Sequence, residues 1–158
     1  MDLNLNILLL AQDARSYYDA YEVLKETKLP HASNSMSLAT PAMVCLAFST
    51  ELHVKLLLRT FDLEVTGHDI KKLFMQLPKD ERTKISTDEF FHPTQQRKYF
   101  FEEIEQASNL FVRTRYYFEN MGTLQFNIGF CATLCRVIQK RIVKRVPYLA
   151  SDLGIAIK

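Results

Sequence analysis

Glycine and proline are scarce in this sequence, with 4 and 5 residues among 158. A sandwich or barrel of many short strands needs more turn residues than that, and glycine-rich linkers are excluded for the same reason. Because 47% of the residues are hydrophobic, the chain can bury a substantial core. We therefore expect residues 1–158 to form a single all-α domain.

Cysteine is also rare, and Cys45, Cys131 and Cys135 do not form a paired pattern. With no secretory leader evident, this predicts a cytoplasmic protein. No apolar run approaches the ~20 residues of a membrane helix, so we expect no membrane association. Cys131 and Cys135 lack further soft ligands nearby and there is no zinc signature, so we expect core cysteines, no metal and no other cofactor.

Apolar residues recur at three- and four-residue spacing in five stretches, which predicts a bundle of five helices. The expected bounds are residues 3–28, 41–62, 68–77, 94–120 and 124–146. Thr40 and Pro41 predict the N-cap and first residue of the second helix, which is apolar on every side at its start. Ser86 and Glu89 predict a capping box for a further turn of helix.

Charged residues occur where the periodicity predicts buried faces. Glu51 and Lys55 share a face of the second helix, and Arg115 lies on the same predicted stripe as Phe111. An arginine drawn into a bundle needs a carboxylate, because an unpaired buried charge is costly, and Glu51 and Glu119 are the candidate partners. Two interpretations remain open: an ion-pair network that fixes helix register, or a cluster that lines a functional cleft.

One histidine stands at a predicted helix start. His68 follows Gly67 and precedes Asp69, in a position where the helix dipole disfavours an imidazolium. It is either a structural hydrogen-bond donor or a general base.

Basic residues gather at the end of the chain. Residues 136–158 hold 6 of the 20 lysines and arginines but only 1 of the 18 acidic residues. Arg136, Lys140 and Lys144 form one line along the predicted helix, and Arg141 and Arg145 form a second line beside it. This basic face either stabilises the C-terminal end of its helix or contacts RNA or DNA phosphates.

Three segments of the chain resemble bacterial HEPN-domain proteins. The pattern F-x-x-E-L-x-x-K-x-L-L occurs at residues 48–58, G-H-D-I-x-x-L-F-x-x-L at 67–77, and R-Y-x-F-E at 115–119. The resemblance implies an antiparallel up-down helical bundle that forms a homodimer. It also implies a setting in prokaryotic defence, toxin–antitoxin systems or RNA processing.

Many HEPN proteins are metal-independent ribonucleases, and their site is an arginine followed by a histidine after four to six residues. Here eight residues separate Arg59 from His68, and nine separate Arg82 from His92. The nuclease pattern is therefore missing, and the sequence does not predict whether the protein is an enzyme. The resemblance carries over the architecture and a polar cluster of Glu51, Lys55, His68, Asp69, Arg115, Tyr116 and Glu119.

The function expected on these grounds is an RNA- or protein-binding module. The alternative is a metal-independent ribonuclease with a rearranged site, in which Arg115 stabilises phosphate charge and His68 acts as acid or base. A purely structural or antitoxin-like partner is a third possibility. Convergence of His68 and Arg115 at an open groove would favour catalysis, whereas burial of both inside the bundle would disfavour it.

Overall fold

Every regular element in the described part of the chain is a helix. The computed structural model describes residues 3–27, 38–91, 98–115 and 127–156. Its elements are α1 (Leu3–Glu26), α2 (Ala39–Arg59), α3 (Ile70–Gln76), α4 (Lys79–Ser86), α5 (Lys98–Gln106), α6 (Leu110–Arg115), α7 (Ile128–Arg145) and a 3-10 turn, Pro147–Leu149. The predicted all-α class is confirmed.

Helix α2 is the centre of the fold, because it packs against α1, α3, α6 and α7. Most of its residues from Ala42 onward are buried, as expected for a helix that is apolar all round. It is also long and apolar enough, by length and composition alone, to cross a membrane, although 67% of that stretch is buried inside the protein. A core helix of a bundle has the same properties, and the absence of a membrane partner stays a prediction.

Side-chain contacts give the directions of two neighbours of α2. Ser49 donates to the carbonyl oxygen of Ala14 at 2.8 Å, and the rings of Phe48 and Tyr17 lie 4.5 Å apart. The charge of Arg15 also acts on His53 further along α2, so residue numbers rise along α1 as they fall along α2, and these two helices are antiparallel.

Helix α7 runs parallel to α2. Thr50 contacts Cys135, and His53 contacts Gln139, so residue numbers rise together along the two helices. The antiparallel up-down order of a HEPN-like bundle is not established by these contacts and stays a prediction.

The fourth predicted helix, residues 94–120, is interrupted. Helix α5 ends at Gln106 and α6 begins at Leu110, with Asn109 between them at a φ of +55°. Asparagine is one of the few residues that adopt this left-handed conformation readily. The break changes which side chains face the core, so that Leu110 and Thr114 are buried and Phe111 is only half-buried.

Two predicted helix signals prove wrong. Helix α2 begins at Ala39 after Leu38 as N-cap, so Thr40 and Pro41 lie within its first turn. Ser86 is the last residue of α4, and its hydroxyl donates back to the carbonyl oxygen of Thr83. No helix begins at Ser86, because α4 already occupies the sequence before it.

Candidate functional site

A buried carboxylate lies at the centre of the predicted polar cluster. Glu51, on the middle of α2, has 0% of its surface exposed. Its Oε1 accepts hydrogen bonds from Lys55 Nζ at 2.6 Å and from His68 Nδ1 at 2.9 Å. Its Oε2 has no hydrogen-bond partner among the described residues. Three members of the predicted polar cluster, Glu51, Lys55 and His68, therefore lie in contact.

The turn before α3 brings His68 to Glu51. Gly67 has a φ of +85°, which glycine adopts without a steric penalty. Asp69 is the N-cap of α3, and its carboxylate accepts from the backbone N–H of Lys72 at 3.0 Å. His68 thus precedes the helix rather than opening it, and Asp69 is occupied with capping.

The pKa of Asp69 reflects this capping role. Burial alone would raise it, but hydrogen bonds from the Lys72 backbone and the Ser108 hydroxyl, with the charge of Lys72, together hold it below its ordinary value. Asp69 is therefore a charged N-cap at neutral pH, and its negative charge interacts favourably with the positive end of the helix dipole of α3.

An aromatic stack lies beside His68. The Phe111 ring of α6 stacks on Phe48 of α2 with ring centres 4.3 Å apart, and Tyr17 of α1 meets Phe48 edge-on. The His68 ring lies 6.3 Å from Phe111, and the Arg115 guanidinium lies 5.2 Å from the same ring. We call these five residues the Phe111 surface.

Arg115 is exposed, which corrects the prediction that it faces the bundle interior. The break at Asn109 is the reason, because it gives the buried position of this turn to Thr114. Glu51 is one of the two predicted partners of Arg115. Among the described residues it contacts Lys55 and His68. Tyr116 and Glu119, the remaining members of the predicted cluster, lie outside the described residues.

The arrangement around His68 suits proton transfer as well as binding. Its side chain is 54% exposed, whereas its carboxylate partner is fully buried. The hydrogen bond to Glu51 fixes the Nδ1 proton, which leaves Nε2 as the ring atom that can accept or donate a proton. His68 and Arg115 thus lie beside the same half-buried Phe111 ring, and neither is sealed inside the bundle.

The predicted basic face on α7 is only partly free. Arg141 forms a two-pronged ion pair with the buried Glu81 of α4, at 2.6 and 2.8 Å. Arg136 donates to the Tyr18 hydroxyl of α1 at 3.0 Å. Both side chains thereby hold α7 against neighbouring helices.

The other three basic residues lie nearer the solvent. Arg145 stacks on the Phe61 ring at 3.4 Å and donates to the carbonyl oxygen of Thr60. Lys140 lies 3.7 Å from the Asp88 carboxylate. Lys144 is exposed and has no carboxylate partner among the described residues. The role of this face in nucleic-acid binding stays a prediction.

The sequence analysis missed a buried histidine, His53, which has 0% of its surface exposed. Its Nδ1 donates to the carbonyl oxygen of Ser49 at 2.8 Å, and its Nε2 lies 2.9 Å from the Gln139 side-chain nitrogen, which donates to it. Burial, opposed by the Ser49 hydrogen bond, lowers the pKa of His53 to about 4. The signal was available, since Ser49 and His53 stand four apart on a helix that is buried all round.

The described residues contain no group of three or more His, Cys, Asp or Glu side chains that could hold a metal ion. Cys131 and Cys135 are buried, as predicted for core residues. Burial raises the pKa of both thiols, that of Cys135 to about 11, so both are protonated and poor metal ligands at neutral pH.

Comparison of the chain with protein families, curated proteins and solved structures finds no match. The resemblance to HEPN-domain proteins therefore stays a prediction.

Proposed function

We propose that the chain is an RNA-binding module that contacts single-stranded RNA through the Phe111 surface. The observation that carries this proposal is the Phe111 ring itself, which is half-buried and flanked by the exposed side chains of His68 and Arg115. The setting is the cytoplasm of a prokaryotic cell, in defence or a toxin–antitoxin system, as the family resemblance implies.

The chemistry of the Phe111 surface matches that of unpaired nucleotides. Nucleobases stack on aromatic rings, and each such stack contributes about 1–3 kcal/mol to single-strand binding. Arg115 supplies a cation for the adjoining phosphate, and His68 supplies a ring nitrogen that can hydrogen-bond to a base or sugar.

The test is the affinity for a fluorescent single-stranded RNA, measured by anisotropy with the Arg115→Gln variant. Arg113→Gln is the matched control, because Arg113 lies two residues away on α6, is exposed, and donates to the carbonyl oxygen of Gln106. We expect Arg115→Gln to weaken binding about tenfold and to reduce its salt dependence, while Arg113→Gln stays within twofold. Equal effects of both variants would refute a specific role for the Phe111 surface.

Metal-independent RNA cleavage is a second candidate, and the hydrogen bond between Glu51 and His68 favours it. A buried carboxylate that orients an exposed imidazole is the arrangement by which enzymes prepare a histidine for proton transfer. His68 Nε2 would take the proton of the 2′-hydroxyl as its oxygen bonds to the adjacent phosphorus and forms a 2′,3′-cyclic phosphate. The bond from phosphorus to the 5′-oxygen of the next nucleotide would break, and that oxygen would leave as a hydroxyl after taking a proton from the imidazolium or from water. Arg115 would stabilise charge on the phosphate.

Incubation of RNA with the purified protein in EDTA tests this second candidate. Cleavage by the wild type that is lost in His68→Ala, while Arg113→Gln remains active, would support a ribonuclease. If the RNA is bound but stays intact under these conditions, the ribonuclease hypothesis is refuted and RNA binding without cleavage is supported.

We also propose that the protein is a homodimer. Helix α1 exposes Leu9 and Val23, and pairing would remove such apolar side chains from water. Light scattering should give twice the 18.4 kDa of one chain. A mass near 18.4 kDa at micromolar concentration would refute this.

A further inference from the structure

A cleft of about 260 Å³ lies between α4 and α5 and shares no residue with the Phe111 surface. Its walls are formed by Lys79, Arg82, Thr83, Ser86 and Phe101. This volume is slightly below the ~300–1,000 Å³ of pockets for drug-sized ligands. A ligand of the size of one nucleotide is therefore the largest that the cleft can enclose.

The two cations of the cleft have no acidic partner in the part of the chain that the structure describes. Neither Lys79 nor Arg82 forms an ion pair with a described residue, although their neighbour Lys84 on the same helix pairs with Asp80. Among the described residues, the NH1 nitrogen of Arg82 donates to the sulfur of Met75, and its buried Nε has no hydrogen-bond partner. Sulfur is a weak acceptor, so the Arg82 guanidinium is poorly satisfied, and a bound anion would supply the missing charge.

Two hydroxyl groups extend the polar wall. Thr83 donates its hydroxyl proton to the carbonyl oxygen of Lys79, and Ser86 donates to that of Thr83. Because both protons are already used within α4, the oxygens offer lone pairs to a ligand rather than protons. A ligand with hydroxyl donors, such as a sugar, fits this wall better than a second anion would.

The opposite wall is aromatic. Phe101 of α5 is 41% exposed, and its ring is braced by contacts with Phe74 and Phe100. A large apolar ring held in place at the mouth of a polar cleft provides a stacking surface for a planar group. The cleft therefore combines a cationic side, a hydroxyl-accepting side and an aromatic side.

We propose that this cleft binds one nucleotide, with its phosphate at Arg82 and Lys79, its sugar along Thr83 and Ser86, and its base against Phe101. The nucleotide is either a free nucleoside monophosphate or one unit of an RNA chain, since both present the same groups. The proposal does not depend on RNA binding at the Phe111 surface.

Calorimetric titration of the full chain tests the proposal with uridine monophosphate, uridine, inorganic phosphate and a short single-stranded RNA. We expect one molecule of uridine monophosphate per chain, bound at least tenfold more tightly than uridine or phosphate. Arg82→Gln should weaken this binding at least tenfold. Lys84→Gln on the same helix should leave it unchanged, since Lys84 is paired with Asp80.

The RNA titration identifies the source of the nucleotide. If RNA binds and Arg82→Gln weakens that binding, while uridine monophosphate does not bind, the cleft takes one unit of a polynucleotide. This outcome also supports the proposal. Saturable binding of uridine monophosphate that Arg82→Gln does not weaken would overturn it. So would a lack of uridine monophosphate binding together with RNA binding that does not depend on Arg82. Phosphate binding as tight as that of uridine monophosphate would overturn the roles of the sugar and base. Phe101→Leu, with its melting temperature compared to the wild type, tests the stacking wall separately.

Discussion

His68 donates its Nδ1 proton to a carboxylate that solvent does not reach, with 2.9 Å between Nδ1 and Glu51 Oε1. The same oxygen accepts from Lys55, so two donors gather on one side of a buried anion. Burying a carboxylate is costly unless opposite charge and hydrogen bonds compensate. The fold thus holds an exposed histidine in one orientation through a residue in its core.

Replacing Glu51 tests how much the fold depends on this anion. Glu51→Gln keeps the shape but removes the charge, which leaves the largely buried Lys55 ammonium without its counter-ion. We expect a loss of about 3 kcal/mol in the free energy of unfolding, measured by urea denaturation. Glu105→Gln is the matched control, because Glu105 forms an exposed pair with Lys71 and should cost at most about 0.5 kcal/mol. Equal midpoints for both variants would contradict the prediction.

His68→Ala should separate stability from function. More than half of this side chain is exposed, so its loss should cost about 1 kcal/mol or less. The affinity for RNA at the Phe111 surface, and the rate of any cleavage, should fall strongly, although the free energy of unfolding changes little. A variant that unfolds as readily as Glu51→Gln would show that His68 has a chiefly structural role.

Stability should fall in mild acid because of His53. Its pKa is about 4 in the folded protein against an ordinary 6.5, so between these values the unfolded state binds more protons than the folded state. This contribution to stability is fully present above about pH 6.5 and is lost as the pH falls toward 4, with a loss on the order of 2–3 kcal/mol by pH 4.5.

The control for this prediction is His53→Gln, which cannot take up a proton. Urea denaturation at pH 7 and pH 4.5 should show a smaller acid-induced loss for this variant than for the wild type, because the carboxylates titrate in both. The same loss in both proteins would mean that His53 is accessible to protons in the folded state.

The sequence predicted the helix positions, because these depend on the local pattern of apolar residues. Apolar periodicity located α1, α2, α3 and α7 to within a few residues, because each helix buries one continuous stripe or is surrounded. The link between Glu51 and His68 followed from a family resemblance, since no local rule joins two residues 17 positions apart. Single-residue backbone changes, such as the left-handed Asn109, leave little trace in hydrophobic spacing.

Ion pairs between residues far apart in the chain could not be predicted from the sequence for the same reason. The partner of Arg141 is Glu81, 60 residues earlier in the chain, and periodicity shows only that each lies on a helix. The buried position of Thr114 instead of Arg115 likewise depends on how α6 turns after Asn109. These features arise when helices pack, and they decide which charges remain available for a ligand.

Arg115 should contribute little to stability, contrary to the expectation from the sequence. It is exposed beside Phe111, and exposed contacts between a cation and an aromatic ring contribute about 0.5–1 kcal/mol. Arg115→Ala and Arg113→Ala should therefore have melting temperatures within a few degrees of each other. A loss of several kcal/mol for Arg115→Ala alone would show that it holds the fold, and would weaken its proposed role in RNA binding.

The basic residues of α7 should divide into a structural and a surface class. Arg141 donates two hydrogen bonds to the buried Glu81, so Arg141→Ala leaves a buried carboxylate unpaired and should cost about 3 kcal/mol. Lys144 is exposed, so Lys144→Ala should stay within about 0.5 kcal/mol. If α7 also contacts RNA, Lys144→Glu should weaken RNA binding and reduce its salt dependence without lowering the melting temperature. Unchanged affinity would limit the role of these cations to the stability of the folded protein.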